Sequence, residues 1–260
     1  MQGLIYNLIS MKVKMNYSII AGIALIVALS GCSKKDNTDP SNTTSTTTNY
    51  ASFSFENSYG VLVAIKSISY QEAAGIQIPI EVNTASATFV SSPGSSTFID
   101  AGQVTLNTKV LSKETNNSYI YQDLLNPLNF NTVSWSVTGA NGIPTIAYSD
   151  DKPWPSFNGF TTLPATVTKS AGVTVNLNSA VSNADSVYLI LASNDGNFAI
   201  KRVSGNAADV TLSASEISGI TAGSGMIQLV PWSFKKEDFD SKDFYFVLEA
   251  VYSKMNVTIN

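Results

Sequence analysis

Residues 187–203 read VYLILASNDGNFAIKRV, two apolar runs separated by a short polar segment. Asp195-Gly196 in that segment is typical of a tight hairpin, because a type I′ turn needs positive φ at both central residues. The run 187–192 is almost continuously apolar, which suits a central strand of a sandwich. The stretch therefore predicts an antiparallel hairpin and favours a β fold.

The same strand-like patterning recurs along the chain. Apolar and polar residues alternate over 104–107, 133–138 and 173–178, which predicts strands with one face in a core and the other in water. The run 76–82 alternates too, but Pro79 lacks an N–H, so we expect an edge strand there. Two more continuously apolar runs predict further central strands, at 61–65 and 244–251.

The alternation breaks at residues 125–129, LNPLN, which predicts two β domains, 50–128 and 129–260. In the second half, Ser213 and Glu216 form an S-x-x-E capping box, which indicates a single helical turn between two strands. In its strand spacing this half resembles an immunoglobulin-like β-sandwich. The expected fold is all-β, with two antiparallel β-sandwich-type domains.

The N-terminal residues have the order of an export signal. Lys12 and Lys14 precede an apolar run at 19–29, which is too short to span a bilayer. Because Met11 or Met15 would open a more ordinary signal peptide, we expect residues 1–10 to precede the true start.

Leu29-Ser30-Gly31-Cys32 closes that run and resembles the lipobox of bacterial lipoproteins. The resemblance implies that a signal peptide, 1–31, is removed and that Cys32 is acylated and anchors the chain in a membrane. Ser33 replaces the Asp of inner-membrane retention signals, which favours the outer membrane, on its periplasmic face or at the cell surface. Residues 33–49 are rich in Ser, Thr and Asn, and together with Cys32 they predict a disordered linker, 32–49.

Composition excludes several kinds of chemistry. The chain has no histidine and one cysteine, which removes Ser-His-Asp triads, Cys-His pairs and histidine-containing zinc sites. Without residues 1–31, which hold two lysines and no acid, 13 basic residues face 19 acidic ones, a net charge near −6. An acidic chain with a single arginine, Arg202, predicts no nucleic-acid partner. We therefore expect no cofactor, no metal and no enzymatic activity.

Residues 150–160, DDKPWPSFNGF, are the most unusual stretch after the linker. One interpretation is a glycan site in which Trp154, Phe157 and Phe160 stack on sugar rings while Asp150 and Asp151 bind hydroxyl groups. The alternative is that the three rings turn inward and fill the end of the sandwich or the seam between the domains.

Other candidate positions have simpler interpretations. The acids Asp238, Asp240 and Asp243 are expected in a solvated turn. Asp185-Ser186-Val187 resembles an O-glycosylation signal of some Gram-negative bacteria, which makes Ser186 a candidate modification site. We expect Trp135 in the core. Trp232 follows Pro231, which indicates a strand end and packing at the rim.

Three classes of function remain. The first is a non-catalytic binding or adhesion module of the outer membrane that contacts a glycan or a surface partner protein. The second is a structural subunit or anchor of a surface assembly, similar to fimbrillin-type lipoproteins. Many of those are cleaved after an arginine in the first domain, and this chain has none before Arg202. The third, a glycan-acting enzyme with paired carboxylates, has the least support.

Overall fold

The computed structural model describes Phe55, residues 57–73 and residues 76–260. The described chain is all-β, of sandwich type, as the alternation predicts, and its helical structure is a 3₁₀ turn at Phe160–Thr162. The strands, in chain order, are β1 Ser58–Ala73, β2 Ile76–Phe89, β3 Val104–Leu106, β4 Lys109–Val110, β5 Ser112–Lys113, β6 Tyr119–Tyr121, β7 Val133–Val137, β8 Ile146–Asp150, β9 Ser156–Phe157, β10 Thr166–Val167, β11 Val173–Asn176, β12 Val181–Ser182, β13 Ser186–Ser193, β14 Phe198–Ser204, β15 Asp209–Leu212, β16 Gly223–Phe239 and β17 Lys242–Ile259.

One large sheet runs through the whole molecule, in the order β14-β13-β16-β17-β1-β2-β6-β5, with β10 added beside the end of β17. Strands β1 and β17 are parallel, with Val63 opposite Val247, so the sheet is mixed and not purely antiparallel. The smaller sheets are a four-stranded sheet, β4-β3-β7-β8, and the pairs β11-β15 and β12-β9, and all three contribute to the cores.

Two cores form on one face of the large sheet, which we call the inner face. The first lies against β3, β7 and β8 and includes Phe244 and Phe246 of β17. The second lies against β11 and β15 and includes Ala250 and Tyr252 of the same strand. Because alternate residues of one continuous strand contribute to both cores, the cores share a sheet.

The predicted boundary at 128/129 does not separate these cores. Val133, Trp135 and Val137 follow that boundary, yet their side chains belong to the first core. The chain crosses to the second core later, at Phe157. The LNPLN break is a loop within one core, since a local change in pattern does not show which sheet the next strand joins.

The opposite side of the large sheet, its outer face, carries a third apolar cluster. Strand residues alternate between faces, so the neighbours of Phe244 and Phe246 on β17 point outward. The outer cluster consists of Val61, Val63, Ile65, Tyr188, Ile190, Val230, Trp232, Tyr245, Val247 and Val251. Trp232 is thus buried in the middle of β16 and not at a strand end, although it follows Pro231.

The predicted hairpin at 187–203 is confirmed as β13 and β14. Its turn is not type I′, because Gly196 has positive φ and Asp195 does not. The Gly196 N–H donates to the Ser193 carbonyl, and the Ser193 N–H donates to the Asn197 carbonyl, the pattern of a turn followed by a glycine bulge. Positive φ at both central residues occurs instead at Asp240-Ser241, in the two-residue loop between β16 and β17.

The predicted capping box is also present. The Ser213 N–H donates to Glu216 Oε2 at 2.8 Å, and the Glu216 N–H donates to Ser213 Oγ at 3.4 Å. Lys201 forms an ion pair with the same carboxylate at 2.6 Å. These contacts lower the pKa of Glu216 to about 2, with the Lys201 hydrogen bond the main cause.

Candidate functional site

The predicted signal peptide, Cys32 and the linker lie outside the described residues, as do Met11 and Met15. Their assignment rests on the sequence, and it stays a prediction. The described part of the chain contains no helix long and apolar enough to cross a membrane.

In the 150–160 stretch, two of the three rings point into the protein. Phe157 is buried in the second core, where its ring meets Tyr252 edge to face at 5.7 Å. Phe160 is buried beside it, and its ring centroid lies 4.0 Å from that of Tyr70. Neither ring can stack on a sugar in this conformation.

Trp154 is half-buried and lies at the seam between the two cores. Its ring stacks on Phe130 of the first core at 4.9 Å, and Lys66 Nζ lies 4.4 Å from its centroid. Lys66 follows Ala64 of the first core along the inner face of β1 and precedes Ile68, which packs on the second. With a phenyl ring and an ammonium group against it, the indole has little free face.

The two adjacent acids do not converge on a common site. Asp150 ends β8 with its side chain buried, and its Oδ1 accepts the Lys152 N–H at 2.9 Å. Burial, followed by the charge of Asp150, raises the pKa of the Tyr148 hydroxyl. Asp151 is exposed. A carboxylate pair across a cleft, as a glycosidase needs, is not formed by these residues.

The acids near the start of β17 lie around the turn between β16 and β17, as predicted. Asp238 Oδ1 accepts the Ser241 N–H at 3.1 Å, and Asp243 pairs with Lys236 at 2.8 Å. Among the described residues, no group of three or more acids is placed to hold a metal ion.

Ser186 begins β13, and 9% of its surface is exposed. The adjacent Asp185 is more exposed, and its Oδ2 accepts the Phe234 N–H at 2.9 Å. A glycosyltransferase would have to reach Ser186 before this part of the sheet forms.

The sequence analysis missed a buried acid on the outer face. Glu249 is 5% exposed, between Ile65 on β1 and Trp232 on β16. Its Oε1 has no hydrogen-bond partner among the described residues. Burial raises the pKa of Glu249 to about 8. The sequence signal for this buried acid is a glutamate within the otherwise apolar run 244–251.

The sequence analysis also missed an apolar loop tip. Leu125 is 98% exposed and Leu124 is 51% exposed. Asp123 Oδ1 accepts the N–H groups of Leu125 and Asn126, at 2.9 and 3.2 Å. The Tyr121 hydroxyl donates to the Asn126 carbonyl at 2.5 Å, which ties the tip to the first core. Two neighbouring leucines in a polar loop are the sequence signal for this tip, and they lie beside the predicted domain boundary.

Compared with protein-family models and with curated proteins, the chain matches none.

Proposed function

We propose that the mature chain is a non-catalytic contact module, held on the outer membrane by acylated Cys32, that binds a surface partner protein. The observation that supports binding of a partner protein is the exposure of the Leu124-Leu125 tip. Exposed apolar groups cost solvation free energy, and a contiguous exposed apolar patch often marks a contact surface.

The tip is organised for binding before a partner arrives. Asp123 fixes the backbone on one side, and buried Leu128 anchors the other. A loop held in one conformation loses little entropy on association, which strengthens binding. Lys109 Nζ donates to Asn126 Oδ1 at 2.5 Å, which links the tip to β4.

A protein partner is favoured over a glycan. Sugar recognition through the 150–160 stretch would need exposed rings, and Phe157 and Phe160 are buried. The Leu124-Leu125 tip has no aromatic ring, and leucine side chains suit an apolar pocket of another protein.

One observation favours the structural alternative, a fimbrillin-like subunit or anchor. Strand β17 has 18 residues and runs past both cores, a length of roughly 60 Å at about 3.3 Å per residue. A shared sheet of this length makes a stiff spacer. High-mass ladders of this chain in native membranes would favour that alternative, and an exclusively monomeric band would count against it.

Acylation at Cys32 is tested by metabolic labelling. Cells given an alkyne analogue of palmitate should label the wild-type chain in the outer-membrane fraction. Cys32→Ser should abolish the label and release the protein from that fraction, because the thioether cannot form. Labelling that persists in Cys32→Ser would refute the anchor.

Binding through the tip is tested by cross-linking on intact cells. Leu125→Ser and Leu124→Ser should reduce capture of the partner at least tenfold, since each removes apolar area from the contact. Met255→Ser is the matched control, because Met255 is a similarly exposed apolar residue at 46%, on β17. Equal loss in all three variants, or no loss in any, would contradict a role for this loop.

A further inference from the structure

The outer face is buried although the described strands do not cover it. Ten side chains of the outer cluster are at most 9% exposed, and all belong to strands of the large sheet. Among the described residues, Phe55 is the hydrophobic side chain that packs on this cluster from outside those strands. The cover therefore begins with the chain just before β1.

The path of the chain at Phe55 points back over the sheet. The ring of Phe55 lies 4.8 Å from that of Tyr245 and 6.1 Å from that of Trp232. The Ser58 N–H donates to the Phe55 carbonyl at 3.1 Å, and Asn57 has a φ of 58°. This is a β-turn, so the chain reverses between Phe55 and the start of β1. A segment that continued from this reversal in extended form would run antiparallel to β1, along the outer face.

The sequence before the turn has the pattern that such a position needs. Residues 50–55 read YASFSF, in which Ala51, Phe53 and Phe55 alternate with two serines. A period of two presents the apolar residues on one side of an extended segment. The preceding stretch, 33–49, has no comparable apolar pattern.

The length of the five residues before Phe55 also matches the extent of the outer cluster. Five extended residues before Phe55 reach about 17 Å, at about 3.3–3.6 Å per residue. The outer cluster extends along β17 from Tyr245 to Val251, roughly 20 Å at about 3.3 Å per residue. A segment that starts over Tyr245 would end near Glu249 and Val251.

We propose that residues 50–54 dock in extended form on the outer face, with Phe53 and Ala51 against the sheet and Ser52 and Ser54 toward solvent. The docked segment completes the cover that Phe55 begins. A carboxylate on this face, Glu249, is then shut away from water, in agreement with its raised pKa.

Docking has a consequence for how the protein is held. The linker would leave the molecule from the middle of the outer face, at Asn49, and not from one end of the sheet. The smaller sheets, which pack on the inner face, and the Leu124-Leu125 tip would then be free to contact a partner. This consequence rests on the proposed anchor at Cys32, whereas the docking itself does not.

A lysine scan of the full mature chain tests the docking. Ala51→Lys and Phe53→Lys should each lower the melting temperature by several degrees, because a charge would be forced against the apolar face. Ser52→Lys and Ser54→Lys should leave it unchanged, and Phe55→Lys is the positive comparison. Equal tolerance at 51–54, or equal loss at all four positions, would overturn the proposal.

A proximity measurement keeps the test independent of stability. Bimane attached to Phe53→Cys should be quenched several-fold by Trp232, and Trp232→Phe should relieve the quenching. Bimane at Ser54→Cys is the control and should be quenched less. Quenching at Phe53→Cys that rises with protein concentration, together with a dimer in sedimentation, would assign the face to a second copy and overturn the proposal.

The docking of residues 50–54 and the acylation of Cys32 are measured separately, so either proposal can fail without the other. If native Cys32 carries no acyl group, it will react with maleimide, whatever the lysine scan shows. Destabilisation by lysine at positions 51 and 53 but not at 52 and 54, together with a reactive Cys32, would support docking and refute the anchor.

Discussion

Glu249→Gln should raise the free energy of unfolding by about 3 kcal/mol at pH 7. The pKa of Glu249 is raised from 4.5 to about 8 because the carboxyl group is buried on the outer face. Between these values the unfolded chain releases a proton that the folded chain retains. Each pKa unit of that difference corresponds to about 1.4 kcal/mol in favour of the unfolded state.

The direction of the Glu249 pKa shift determines how the stability of the fold depends on pH. Below pH 4.5 the carboxyl group is protonated in both states, so its full contribution to stability is present. As the pH rises through 8 that contribution is lost. Glutamine has nearly the same shape and cannot ionise, so the variant and the wild type should be equally stable at pH 4 and diverge steadily toward pH 8.

Neighbouring groups on the outer face do not cancel this effect. Tyr188 lies near Glu249, but burial raises the pKa of its hydroxyl to about 12, so it stays neutral over this range. Arg202 lies opposite Tyr188 across β13 and β14, and its charge and hydrogen bond act on that hydroxyl.

Urea titrations at pH 4, 6 and 8 provide the measurement. Glu81→Gln, at an exposed acid on β2, is the control and should change stability by less than about 0.5 kcal/mol at each pH. A gap between Glu249→Gln and wild type that stays constant with pH would show that Glu249 is not buried as described.

The strands were predictable because their patterns are local. The runs at 104–107, 133–138 and 173–178 became β3, β7 and β11. Pro79 also lies where predicted, since β2 pairs with β6 at Ala85–Ala87 and Pro79 is in the part that pairs with β1 alone. Period-two alternation reports which side of a strand is buried, and neighbours in sequence determine that period.

The arrangement of the strands was not predictable in the same way. The parallel contact of β1 with β17 joins residues 184 positions apart, such as Val63 and Val247, and no local signal encodes such a pairing. Pro231 indicated a strand end, yet β16 continues past it between β13 and β17. The paired positions of β16 and β17 stop at Leu229 and resume at Trp232, so burial of both faces outweighs one missing N–H.

The candidate site shows the same limit. The sequence placed Trp154, Phe157 and Phe160 in one stretch, but it could not say which way their rings point. That direction depends on the shared sheet, because Tyr252 and Tyr70 are the partners of Phe157 and Phe160. Both belong to strands far away in sequence.

Trp154→Ala should lower the free energy of unfolding by about 3 kcal/mol, because truncating a packed tryptophan leaves a cavity. The lost contacts are the stack on Phe130 and the approach of Lys66. The Asn183 amide donates to the Trp154 backbone carbonyl at 3.2 Å, a contact that alanine retains. Because the lost ring lies at the seam between the cores, we expect the variant to lose cooperativity between them as well as stability.

Two matched variants apportion the effect of Trp154. Trp154→Phe keeps an aromatic ring on Phe130 and should restore more than half of the lost stability. Lys66→Met keeps the alkyl stem but removes the charge, and should cost about 1 kcal/mol if the ammonium–indole attraction contributes. Chemical unfolding monitored by tyrosine and tryptophan fluorescence provides the measurement. Unchanged stability in Trp154→Ala, combined with loss of binding on a glycan array, would instead establish the indole as a sugar platform, because a ring that holds the seam cannot be removed without weakening the fold.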